Sequence, residues 1–71
     1  MTESVYRVTE VIGSSSESWE AAARSAVETA AKSVRDLRVA EVLRKDVTIE
    51  NGAVTSYRVR LAISFKYDSG E

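Results

Sequence analysis

The stretch VAEVLRKDVTIE (39–50), NG (51–52) and AVTSYRVRLAISFKY (53–67) decides how this chain folds. Asn51-Gly52 between two runs rich in β-branched and aromatic residues is the strongest short-range hairpin signal, because both central positions of a type I′ turn need positive φ. In the second arm Tyr57, Val59, Leu61, Ile63 and Phe65 alternate with Arg58, Arg60, Ala62, Ser64 and Lys66, a period of two that turns one face toward a core. If the two-residue turn sets the register, residue 50 faces 53, 46 faces 57 and 39 faces 64. Ala40 and Val42 then join the apolar face. Val39, Glu41, Leu43 and Lys45 join Arg58, Arg60, Ala62 and Ser64 on the opposite one, unless a β-bulge re-sorts them locally.

Upstream, Trp19, Ala22, Ala23, Ala26, Val27, Ala30, Val34 and Leu37 follow the i, i+3, i+4, i+7 pattern of an amphipathic helix. Most of that stripe is alanine, which permits close approach to a sheet but contributes little buried area. Trp19, at its start, reads as packing rather than as a stacking platform. Val5 to Ile12 reads as a strand whose apolar residues fall on both parities, so no buried face is assigned to it. Gly13 to Ser16 reads as a turn, with Ser15 or Ser16 as helix N-cap and Glu17 and Glu20 near the positive end of the dipole. The polar ends, Met1 to Ser4 and Asp68 to Glu71, read as frayed. The result is one α+β domain over residues 1–71, β-α-β-β, with a three-stranded antiparallel sheet around one helix. Full antiparallel pairing requires the last strand in the centre, hence the order second, third, first.

The lengths do not match. The second hairpin arm, at roughly 15 residues, extends roughly 50 Å, whereas a helix of roughly 19 residues reaches about 28 Å. Part of one sheet face and all of the other are therefore expected to meet further subunits. A chain of 71 residues buries only about 60% of the surface its unfolded form exposes. It has no Cys for disulfides and no His for a structural metal, which leaves oligomerisation as the expected staple. No apolar leader follows Met1 and no run approaches membrane-spanning length, so the expectation is a protein of the reducing cytoplasm with no membrane partner. Ten basic and eleven acidic residues give a net charge of -1, which offers no broad footprint for nucleic acid.

Lack of His and Cys also removes the commonest general base, the thiol nucleophile and the soft-metal ligands, so an enzyme is not expected. Gly13 stands outside any glycine pattern that cradles phosphate. Two patches remain. Arg58 and Arg60, with Lys45 opposite Arg58, form a cationic cluster suited either to intersubunit salt bridges with carboxylates such as Glu41 or to anionic small molecules. Asp46, Thr48, Glu50 and Asn51 gather oxygen atoms of the kind that suit calcium at the hairpin end, although without the spacing of an EF-hand, and a plain surface turn is the alternative.

Val5-Tyr6-Arg7-Val8 leading to Ile12-Gly13-Ser14-Ser15, the alanine-striped helix, Leu37-Arg38-Val39-Ala40-Glu41-Val42, and Tyr57-Arg58-Val59 ending in Ser64-Phe65-Lys66 together resemble the dodecins, from about Val5 to Tyr67. The resemblance implies a strand-helix-strand-strand protomer assembled into a hollow homododecamer with cubic symmetry. It also implies storage or sequestration of riboflavin, FMN or FAD in pairs between protomers, stacked on a tryptophan of the second strand and hydrogen-bonded by a glutamine of the third. Those positions are Val39 and Arg58 in this sequence. Valine has no π-face, and aromatic stacking contributes roughly 0.5–1.5 kcal/mol beyond area burial. Arginine only donates, whereas the amide both donates and accepts. Asp46 stands where flavin-binding relatives tend to carry a basic residue suited to phosphate, while Lys66 keeps a positive charge near the end of the third strand. The resemblance thus points to a ligand-binding shell with a degenerate flavin site, with a calcium-binding or purely structural shell as the alternative.

Overall fold

A computed structural model describes residues 3–67; the expectation of frayed ends concerns, in part, residues 1–2 and 68–71, which lie outside them. The elements are β1 (Tyr6–Ser15), α1 (Trp19–Ala31), β2 (Leu37–Glu50) and β3 (Ala53–Lys66). The sheet is antiparallel with β3 in the centre, order β1-β3-β2, as the sequence requires. Asn51 (φ 54°) and Gly52 (φ 77°) carry the positive angles of the tight turn.

Alternation along β3 decides the core. Val59, Leu61 and Ile63 are buried and pack with Ala22 and Ala26 of α1, flanked by Val11, Trp19, Ala23, Val27, Ala30 and Leu37. On β1 the helix-facing set is Thr9, Val11, Gly13 and Ser15, each paired with an apolar, helix-facing residue of β3. The helix packs mainly on β1 and β3 and touches β2 least. Val42, though on the helix side, stays 47% exposed because the helix does not reach it.

Four expectations are corrected. The helix runs for 13 residues and ends at Ala31, so it is about 20 Å long. Ser33 and Val34 amides donate to the Ala30 carbonyl as the chain leaves the helix, and Leu37 belongs to β2. The N-cap is Ser18, whose hydroxyl accepts from the Ala21 amide at 2.9 Å; the Ser15 hydroxyl instead accepts from the Glu17 amide. Gly13 is in β1 rather than in a turn.

The fourth correction is to the register. Residues 49–50 pair with 53–54 and 39–42 with 61–64 as expected, but two bulges displace residues 44–48 between them by one. Thr55 is the extra residue on β3 and Leu43 the extra residue on β2, so the second bulge cancels the first. In the intervening stretch Asp46, not Lys45, stands opposite Arg58, and residue 57 faces Val47 rather than 46.

The molecule measures 55 × 20 × 14 Å. Ile12, Val8, Val39 and Leu43, all on the sheet or its bulge, are exposed, as are Ile49 and Val54 at the hairpin end. A short helix on a long sheet leaves this apolar surface uncovered.

Candidate functional site

The sheet face opposite the helix consists of cross-strand rows read from the register. Ser14, Arg58 and Asp46 form one row; Ile12, Arg60 and Arg44 the next; Glu10, Ala62 and Glu41 the third; Val8, Ser64 and Val39 the fourth. The expected cationic cluster therefore exists with Arg44 in place of Lys45. The Leu43 bulge moves Lys45 to the helix side, where its ammonium lies 5.6 Å from the centre of the Trp19 ring.

Asp46 is the best-anchored polar residue on this face. Its carboxylate accepts from Arg58 twice, Nε to Oδ1 at 2.8 Å and Nη2 to Oδ2 at 3.0 Å. Its backbone carbonyl accepts from the Trp19 indole N–H at 3.1 Å, and the Trp19 ring meets Tyr57 edge-on at 5.1 Å. Trp19 is thus a packing residue that also fixes the strand segment carrying Asp46. Hydrogen bonding to Arg58 holds the Asp46 carboxyl below its usual 3.8, desolvation opposes that, and the charges of Arg58, Arg44 and Arg60 add to it. The same bond raises Arg58 above the ordinary guanidinium range. Both side chains keep about 40% of their surface in solvent (42% and 40%), so the pair orients the arginine more than it stabilises the fold.

The four residues singled out by sequence fall into two groups. Arg58 and Asp46 share one row. Val39 sits opposite Ser64, and Lys66 lies two residues further along β3. Six residues separate Ser64 from Arg58 on one strand, about 20 Å at 3.3 Å each. No compact ligand touches both groups in one protomer.

The oxygen-rich hairpin end does not converge on a cation. The Asp46 carboxylate is taken by Arg58, and the Thr48 hydroxyl is engaged by Thr55 at 2.7 Å and Ser56 at 2.6 Å. Among the described residues no group of three or more acidic side chains is placed to hold a metal. No helix among them is long and apolar enough to cross a membrane.

Sequence reasoning missed the Asp46–Arg58 pair and the Trp19 bond to the Asp46 carbonyl. A signal for the first was available: Val42-Leu43 places two apolar residues in succession, breaking alternation where the bulge lies. No comparable signal marks Thr55.

Comparison with known proteins bears on this arrangement. The family model described as Dodecin matches residues 5–68. Calcium dodecin of Mycobacterium tuberculosis is 46% identical over 63 residues, 89% of each chain. The crystal structure of that calcium-chelating antigen, described as having a novel calcium-binding site, superposes with a TM-score of 0.81 at 43% identity over 96% of this chain and 97% of that one. Dodecin from Streptomyces coelicolor superposes with a TM-score of 0.92 at 36% identity, covering 99% of this chain and 100% of that one.

Proposed function

The chain belongs to the dodecin family, and from that footing we propose that it is a non-catalytic binding protein: a homododecameric shell that takes up calcium and does not stack flavin. One observation carries the reading. At the position where a flavin edge would need a partner that both donates and accepts, Arg58 is locked in a two-point bond to Asp46. Val39 supplies no ring to stack on, and it lies about 20 Å along the strand from Arg58, so riboflavin or FMN would have to bridge subunits with neither standard contact intact.

Calcium is favoured by the 46% identity to calcium dodecin. Calcium takes about six to eight oxygen ligands in a flexible geometry. A single protomer offers no converging acidic group among its described residues, so the ligands come from more than one subunit, with backbone carbonyls and water completing the shell. Uncovered carboxylates such as Glu10 and Glu41 are available to contribute.

Calorimetric titration tests the reading. Calcium is expected to bind and raise the melting temperature, and a chelator to reverse both. Riboflavin fluorescence is expected to stay unquenched at micromolar protein, while the double substitution Val39→Trp, Arg58→Gln introduces quenching. Quenching by the native protein together with no calcium uptake would restore flavin as the ligand.

A further inference from the structure

On the uncovered face Arg44 stands directly opposite Arg60, Ile12 pairs with the other side of Arg60, and the Arg58–Asp46 pair occupies the next row. These five residues line a cavity of about 50 Å³. A water needs about 10–15 Å³ of such space, so several water-sized atoms fit, the bulk of one small tetrahedral anion.

The charges in this cavity do not balance. Three guanidiniums meet one carboxylate, and both oxygens of that carboxylate already accept from Arg58. The Arg58–Asp46 contact is the one salt bridge among the described residues, which leaves Arg44 and Arg60 as directly opposed like charges. Such a cross-strand pair is destabilising by itself. It becomes favourable when an oxyanion sits between the two forks, because guanidinium donors match phosphate and carboxylate oxygens in geometry and charge. Ile12 gives the cavity an apolar wall on one side, and Asp46 engages Arg58 in its two-point bond.

We infer that Arg44 and Arg60 form a binding site for one small oxyanion of the phosphate class, taken from solution. This site is separate from the calcium reading: it uses other residues and the opposite sign of charge.

Titration of the assembled full chain with inorganic phosphate, in calcium-free buffer at low ionic strength, tests it. Saturable uptake is expected, weakening as salt is raised. Arg44→Gln and Arg60→Gln are each expected to weaken it by about tenfold or more, the loss of a charge-assisted bond. Arg24→Gln, the same change of charge on the exposed face of the helix, leaves it unchanged. Asp46→Asn, which releases Arg58, is expected to tighten it. Should the glutamine variants not assemble, Arg44→Lys keeps the charge, loses the fork and is expected to bind phosphate more weakly than the native protein. Absence of phosphate uptake by the native protein overturns the inference, as does equal weakening by Arg24→Gln. Disassembly on Arg60→Gln together with no phosphate binding by the native shell also overturns it, and assigns the anion to a carboxylate of a second copy.

Discussion

At Gly13 a Cβ would stand 2.3 Å from the Ala22 carbonyl oxygen and 2.8 Å from the Ala26 Cβ. The first contact is with helix backbone, which cannot swing aside, so Gly13→Ala must push α1 off the sheet. Overpacking of this kind costs roughly 1–3 kcal/mol, and the urea midpoint of unfolding is expected to fall accordingly. The sequence offers a glycine between a strand and a serine run, and a turn is the ordinary reading; the close approach of a helix is invisible until the fold is assembled. Asp46 was legible as a departure from a basic position, but not its partner, because pairing depends on a bulge. Its carboxyl titrates lower folded than unfolded, so its contribution to stability is fully present above pH 3.8 and is lost as the pH falls below that value toward the folded one. Asp46→Asn is expected to flatten that part of the acid-unfolding curve, measured by circular dichroism, and to leave neutral-to-basic pH dependence as it was. An unchanged acid limb would show that the Arg58 bond does not form in solution.

Among the elements, the hairpin was the most legible, because Asn51-Gly52 and the alternation of β3 each specify it independently. Gly52 sits at φ +77° with open space around it, so Gly52→Ala meets no steric obstacle beyond the backbone itself. A left-handed residue bearing a Cβ costs about 1–2 kcal/mol, and thermal unfolding is expected to report that loss with no change in the assembled mass. The helix was legible in its face but not in its length. Val34 and Leu37 continue the apolar spacing, yet the chain leaves the helix after Ala31 and Leu37 pairs with Phe65 in the sheet. Periodicity records which residues face the core, and a strand packed on the same core can supply the next apolar residue in phase. The two bulges were legible only in part. Since Thr55 and Leu43 compensate, pairing of residues 49–50 and 39–42 agrees with simple counting while residues 44–48 between the bulges are shifted by one, and a further irregularity between Leu37 and Val39 shifts the far end again.

For the molecule as a whole, length and composition already implied that the sheet outruns its cover, and the structure makes the disparity larger. A helix of 13 residues shields Val59, Leu61 and Ile63, while Val8, Ile12, Val39, Leu43, Ile49 and Val54 remain in solvent on a body 55 Å long. Exposed apolar surface on this scale marks an interaction site in a small protein. A domain of this size has little stability of its own to spare. We infer that folding and assembly are coupled, with the subunits completing one another's cores. Native mass spectrometry combined with circular dichroism across a dilution series tests that coupling directly. The expected result is a particle of twelve 7.8 kDa chains whose β-sheet signal disappears in step with dissociation. A folded species that persists at 7.8 kDa in dilute solution would contradict it.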